Sequence, residues 1–429
     1  MYVTRFQTAT FILLLTSGFA VAGDPSDWPQ WRGPQNMGST EVGTYPVQFE
    51  ESTTRWKARL PGKGCSTPIV LNRNIFVTAP VDGNDALLSF DWSGNQRWST
   101  TFGPETAGKH RNGSGCNASP VTDGGAVFVY FKSGTLAAVE LDGTLRWKTD
   151  LVRRFGEDDR FWDHGTSPVL TDKYIVMARM HAGDSWLAAF DKTSGDLAWK
   201  VARNFSTPLE GDQCYTTPLV IQHDGKEALL VWGARHLTIH DAADGAVQWS
   251  CGNFNPDSNK LWPAIANPVI VGDMVVICYG RNDRRQPRLH GIRLGGNGDV
   301  TASNRVWSRE DVGSFVPSPA AYRGRVYLVR DRGEVECIDP VTGETIWSGA
   351  FPQGRASFYA SPVIAGGNLY AAREDGAVFV AAVENNRFEL LAENDMEERV
   401  IGSPVPALNR ILIRGEHSLF CLASSEAED

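Results

Sequence analysis

Eight dipeptides in which Ser, Thr or Asn precedes Pro recur along the chain: Thr67-Pro68, Ser119-Pro120, Ser167-Pro168, Thr217-Pro218, Asn267-Pro268, Ser318-Pro319, Ser361-Pro362 and Ser403-Pro404. The steps between successive prolines are 52, 48, 50, 50, 51, 43 and 42 residues. A period of this size marks a repeat architecture, in which each unit buries its apolar face only against its neighbours. It also sorts the residues, because a type that returns in every unit is expected to be structural.

Most units have the same internal order. Two to four apolar residues follow the Pro, then a Gly/Asn/Asp turn, an apolar run, a polar turn and a second short run. A Gly four residues before a Trp closes the unit, as in Gly94/Trp98, Gly143/Trp147, Gly195/Trp199, Gly245/Trp249 and Gly343/Trp347. Short Val/Ile/Tyr/Phe-rich runs bounded by turn residues are strands joined by hairpins. No helical periodicity runs over eleven or more residues of the mature chain. The reading is all-β: an eight-bladed β-propeller of four-stranded antiparallel blades, with strands A to D from the axis outward. Pro sits at the start of strand A, where a missing N–H costs least. Asp91, Asp191, Asp241 and Asp339 suit the C–D turn. The Trp of strand D is expected to wedge between blades.

The last unit has only three strands, and a spare D-like strand, Thr54-Arg55-Trp56-Lys57, precedes the first. This N-terminal strand is predicted to complete the eighth blade and remove two exposed edges. The fifth and seventh units are irregular; Glu389-Leu390-Leu391 stands where the seventh Trp would be. The expected divisions are 1–22 signal peptide, 23–52 Pro/Gly-rich segment, 53–423 propeller and 424–429 acidic tail. The Pro/Gly-rich segment, which contains Trp28-Pro29-Gln30-Trp31-Arg32-Gly33-Pro34, is expected to run over the propeller surface.

Met1 to Ala22 has a charged start, an apolar centre and a small-residue cleavage site at Ala20-Val21-Ala22, so a periplasmic or secreted protein is expected, with an uncleaved N-terminal anchor as the alternative. No lipid-bearing Cys follows, and no other segment approaches membrane-spanning length. A net charge of −9 argues against nucleic acid as the partner. Of seven cysteines, Cys278, Cys337 and Cys421 fall in apolar strands and are expected to be buried thiols. Cys65, Cys116 and Cys214 take equivalent places on one rim, and a Cys65–Cys116 disulfide is an option left open.

Antiparallel pairing puts the A–B and C–D turns on one face and the D–A and B–C loops on the other. The second set varies between units and is where function is expected. Its candidate ligand-binding residues are Arg111, Arg160, Trp162, Gln213, Tyr215, Trp262, Arg355, Tyr359 and Arg399. His110, Asp163 and His164 are the acid/base or metal candidates. A basic residue ends strand B in most blades: Lys132, Arg179, Arg235, Arg281, Arg330, Arg373 and Arg414. These form either an anion-binding ring or a set of pairs with carboxylates such as Asp283, Asp331, Glu374 and Glu416; recurrence favours the second.

The segments Leu187-Ala188-Ala189-Phe190-Asp191-Lys192-Thr193-Ser194-Gly195-Asp196-Leu197-Ala198-Trp199 and 335–347 resemble the pyrroloquinoline-quinone-type β-propeller repeat, and the resemblance runs from Trp56 to Leu422. The Trp28–Pro34 opening resembles that of exported planctomycete-type propellers. Such propellers include dehydrogenases that use pyrroloquinoline quinone with Ca²⁺, and non-catalytic scaffolds such as the outer-membrane assembly propeller lipoprotein. The dehydrogenases carry adjacent cysteines against the quinone, and this chain has none. The resemblance therefore implies a binding or scaffold module for a protein or polysaccharide partner on the variable face. A divergent quinone-dependent alcohol or sugar dehydrogenase at the channel mouth is the alternative.

Overall fold

Each repeat folds as a four-stranded antiparallel sheet in sequential order, as in blade 1 with Ile69–Leu71, Asn74–Val81, Asn84–Phe90 and Gln96–Pro104. The structure, a computed structural model, describes residues 26–424, so the expected signal peptide and residues 425–429 of the tail lie outside the described residues. Blades 2 to 7 occupy 121–150, 169–202, 219–251, 269–309, 320–350 and 363–395. Blade 8 comprises Val405–Ala407, Arg410–Arg414 and Ser418–Ala423, completed by the N-terminal strand Thr54–Arg59. That strand pairs antiparallel with strand C, Trp56 opposite Cys421 and Ala58 opposite Leu419. The ring is therefore an eight-bladed propeller closed as the sequence predicts.

Strands B and C lie between neighbouring blades and are buried on both faces, which is why they read as continuous apolar runs. Ala126–Tyr130 of blade 2 is buried throughout, whereas strand D of the same blade, Leu145–Asp150, alternates with solvent. The Gly-to-Trp step acts between blades. Trp98 Nε1 donates to the Leu141 carbonyl of blade 2 at 3.1 Å, and Trp147 does the same to Lys192 of blade 3 at 2.9 Å. Gly143, at φ +94°, lies flat on the Trp98 ring; a Cβ there would come within 2.8 Å of it. Blade 7 offers no such Gly, and at that seam Trp347 Nε1 is without a partner while Phe388 packs 6.4 Å from its ring. The fifth unit's extra residues form Gly298–Asp299, which adds a parallel strand outside blade 4.

At the axis, the residue before each repeated Pro joins its blade to the next. Its backbone N–H donates to the side-chain oxygen of the corresponding residue one blade on: Thr67 to Ser119, Ser119 to Ser167, Ser167 to Thr217 and Thr217 to Asn267. The series continues from Asn267 to Ser318, Ser318 to Ser361 and Ser361 to Ser403, and closes from Ser403 back to Thr67. The distances are 2.8–3.2 Å and every member is buried.

The N-terminal segment does not simply run over the surface. Residues 26–40 thread the central channel. Trp28 bridges Val70 of blade 1, the Pro29 carbonyl takes the Thr122 N–H of blade 2, and Ser39–Thr40 pairs parallel with strand A of blade 7. Arg32 donates to the carbonyls of Pro319 and Pro362 at 2.7 and 2.8 Å, linking blades 6 and 7. The chain then crosses beneath blades 7 and 8, where Asn409 and Asn394 hold the N–H groups of Thr44 and Phe49. The surface expectation thus holds for the stretch before Thr54 and fails for residues 26–40. Arg32 fails the surface pattern because its partners lie almost 300 residues or more away.

The axial ring predicts the outcome of a single substitution. Ser318→Ala removes the acceptor of the buried Asn267 N–H and should cost about 1–3 kcal/mol in urea unfolding. Ser348→Ala, at an exposed strand D position, should change stability by less than about 0.5 kcal/mol.

Candidate functional site

The D–A and B–C loops enclose a cavity of about 730 Å³ at the channel mouth. Its base is the axial ring itself, lined by Thr67, Ser119, Ser167, Ser318, Ser361 and Ser403. Trp31 of the threaded segment also lines it, so the channel is a blind cup. Sequence reasoning saw Trp31 only as part of a surface motif.

The loop entering blade 2 bridges the cup. Asp163 of blade 3 holds one end by accepting the backbone N–H groups of Lys109 and His110 at 2.8 and 3.1 Å. Glu374 of blade 7 holds the other, accepting from Arg111 at 3.3 Å and from Asn112 at 2.7 Å. Arg399 of the loop entering blade 8 meets the same carboxylate at 3.3 Å. A short loop is thereby fixed at both ends by buried carboxylates.

The candidates separate into two groups. His110, Trp162, Asp163, Tyr215 and Tyr359 line the cup. Arg160 is buried behind it, bonded through Nε to Asp158 at 2.9 Å and through Nη1 to the Cys214 carbonyl at 3.1 Å. His164 lies against Arg160 and Tyr130, its Nε2 on the Thr166 carbonyl at 2.5 Å. Burial, reinforced by the Arg160 charge, pushes the His164 imidazole down to about 4. Burial alone would raise the Asp158 carboxyl, but Arg160 and His164 hold it well below the usual range. Trp262 is buried between blades 4 and 5, packed on Tyr279. Gln213 points its Oε1 at the Phe161 N–H at 2.7 Å, a positioning contact. Arg355 is exposed outside the cup lining. His110, Asp163 and His164 thus do not converge, and Asp163 already carries Lys132 Nζ at 2.6 Å.

The basic residues ending strand B are staples. Arg179, Arg235, Arg281, Arg373 and Arg414 each donate to a carbonyl of a D–A loop, at Gly156, Asn255, Leu261, Pro352 and Ser66. Their carboxylate partners differ from the expected set except for Arg281 with Asp283 at 2.6 Å. Arg330 pairs with Glu336 at 3.1 Å and Arg373 with Asp375 at 2.8 Å, which leaves Asp331 and Glu374 free to bind loops. Glu416 pairs with Lys63, while Arg414 takes the Ser66 backbone. All seven cysteines are thiols; Cys65 and Cys116 are joined through the Cys65 N–H and the Cys116 carbonyl at 3.3 Å.

Beside the predicted Trp162, the lining includes side chains that were not expected from the sequence to bind a ligand, Phe161, Phe315, Arg284 and Arg332 among them. Phe161 and Trp162 are 58% and 43% exposed and meet edge to face at 4.8 Å. Glu210 lines the cup from the neighbouring loop. On the blade 5 and 6 side are Arg281, Asp283, Arg284, Phe315, Asp331 and Arg332. Burial raises the Asp331 carboxyl, whose oxygens accept the Phe315 and Val316 N–H groups and the Asn282 amide. A hard cation takes six to eight oxygens at one point. Asp163, Asp283 and Asp331 are each consumed by N–H or cationic donors, and no three His, Cys, Asp or Glu side chains converge among the described residues. The residues present do not fit the Ca²⁺-bound quinone of the alternative dehydrogenase reading.

A profile of the family described as outer membrane protein assembly factor BamB matches residues 84–349, and the chain belongs to that family. It is 25% identical over 331 residues to outer membrane protein assembly factor BamB of Salmonella typhimurium, covering 76% of this chain and 72% of the relative. Among solved structures it resembles BamB from Moraxella catarrhalis, with TM-score 0.62, 15% identity, and 86% and 99% of the two chains covered. It also resembles the quinohemoprotein alcohol dehydrogenase from Comamonas testosteroni, with TM-score 0.65, 10% identity, and 94% and 81% covered. At these identities the two structures report the shared fold.

Beside the cup, Asp85 of blade 1 is 1% exposed and neither carboxylate oxygen makes an aligned hydrogen bond. Burial pushes its carboxyl from 3.8 up to about 7, with Ser133 opposing and Glu105 adding to the rise. The folded state then holds a proton that the unfolded state releases, so this contribution to stability is full below about pH 4 and is lost as pH rises to about 7. Asp85→Asn should flatten that part of the denaturation-versus-pH curve. At pH 8 it should be more stable than the parent by about 1–3 kcal/mol, the cost of an unsatisfied buried group.

Proposed function

We propose that this member of the BamB family is a protein-docking scaffold of the cell envelope whose docking face is the loop face around the cup. The observation that carries this reading is the pinned aromatic lip. Phe161 and Trp162 are exposed, yet their backbone N–H groups are held by Gln213 Oε1 at 2.7 Å and Tyr215 OH at 3.2 Å. Ordering the loop in advance lowers the entropy cost of binding, and aromatic side chains supply much of the energy at protein interfaces. The acid/base candidates, by contrast, are occupied in holding loops. The relatives' role as outer membrane protein assembly factors supports a protein partner over a polysaccharide one. No helix among the described residues is long and apolar enough to cross a membrane.

A photo-crosslinking residue in place of Trp162 should capture a discrete envelope protein in cells. One in place of Val341, 53% exposed on the opposite face, should not. Equal capture at both positions, or none at Trp162, would count against docking on this face. Trp162→Ala should weaken that partner's binding at least about tenfold while changing stability by less than about 0.5 kcal/mol. Titration with pyrroloquinoline quinone and Ca²⁺ should yield no dye-linked oxidation of alcohols or sugars; turnover would restore the dehydrogenase reading.

A further inference from the structure

The cup has two chemically different sides. On the blade 3 and 4 side, Phe161 and Trp162 present apolar surface; of the carboxylates lining that side, Asp163 is neutralised by Lys132 at 2.6 Å and Glu210 stands on the loop entering blade 4. On the blade 5 and 6 side, the strand-end cations are neutralised within the protein, Arg281 by Asp283 and Arg330 by Glu336. The two arginines that follow them differ. Arg284 and Arg332 both line the cup, both are exposed, and neither makes an ion pair among the described residues. Asp331, next to Arg332, is turned inward onto the Phe315 and Val316 N–H groups. Of the charged groups lining this side, the two that make neither an ion pair nor a side-chain hydrogen bond among the described residues are therefore guanidinium groups, held on the short B–C turns of adjacent blades.

A guanidinium binds a carboxylate through two parallel hydrogen bonds, and a cationic wall beside an aromatic one selects for a ligand bearing both complements. Resting on the docking reading above, we propose that the cup takes an extended protein segment that carries an aromatic side chain and, a few residues away, one or more carboxylates. The aromatic group packs on Phe161 and Trp162, and the carboxylates reach Arg284 and Arg332. Trp31 sets the depth to which such a segment enters, because it closes the channel below. The charge complementarity identifies the occupant as an acidic segment, and the cup volume limits it to a few residues.

The test uses the purified protein and three labelled hexapeptides: one with a phenylalanine and two aspartates, one with asparagines in place of the aspartates, and one with serine in place of the phenylalanine. Fluorescence anisotropy should show the first binding at least about tenfold more tightly than the other two, and weakening as salt rises. The double variant Arg284→Gln/Arg332→Gln should lose that tenfold preference for the acidic peptide and still bind the asparagine peptide as the parent does. Trp162→Ala should weaken both aromatic peptides. Equal binding of the acidic and asparagine peptides overturns the proposal, as does an unchanged preference in the arginine variant or no binding of any peptide. Binding of a small quinone or sugar that depends on Arg284 and Arg332 while no peptide binds also overturns it. If the Trp162 crosslink forms and the charge preference is absent, the docking reading stands and this ligand chemistry falls. If both are absent, both fall.

Discussion

The structure depends on the closed circuit of eight hydrogen bonds around the axis. The residue before each Pro lies just ahead of strand A, so its N–H has no partner within its own sheet. Left buried and unpaired, such a group costs the full desolvation penalty. The sequence answers by placing a hydroxyl or amide at the same position of the next blade, and the circuit closes from Ser403 to Thr67. Each blade is thereby positioned by the one after it. A second closure at the rim, the Thr54–Arg59 strand on blade 8, ties the same two ends of the chain.

That circuit sets what the rest of the molecule must do. Eight blades leave an axial channel that the short strand A side chains do not fill, and residues 26–40 occupy it. Arg32 is the clamp: its guanidinium is buried, burial lowers it to about 9, and it is satisfied by two carbonyls of the repeated prolines rather than by a carboxylate. Even lowered to about 9, the guanidinium keeps its charge at neutral pH. The threaded segment turns an open channel into a cup, so the cup is assembled from a ring and a separate plug.

Legibility in the sequence followed recurrence. The Pro dipeptides, the Gly-to-Trp step and the spare strand were readable because eight copies repeat one physical solution. The role of the residue before Pro was not, since one copy shows a polar residue at a strand start and only the ring shows its acceptor. The strand B cations were readable as structural, but apart from Asp283 on Arg281 their partners were not. Asp331 and Glu374 follow Arg330 and Arg373 in sequence, yet they bind loops of other blades or of their own mouth. The threaded segment carries no period at all, and Arg32 finds its carbonyls 287 and 330 residues away. The cup residues Phe161, Phe315, Arg284 and Arg332 lie in loops that differ between units, where no pattern distinguishes a lining side chain from an outward one.

The contrast between spent and unspent groups is what favours the proposed docking role over chemistry at the cup. His164 and Asp163 looked suited to proton transfer as neighbours in sequence. In the fold one is sealed against Arg160 with a depressed pKa, and the other neutralises Lys132 and two backbone N–H groups. A group used to hold a loop is not available to a substrate. The groups left over are two arginines and an aromatic lip, fixed in place by Gln213 and Tyr215. Large exposed apolar side chains gain nothing for the folded monomer, and holding them rigid adds an ordering cost. Both features make physical sense for a surface whose partner recovers that cost on docking.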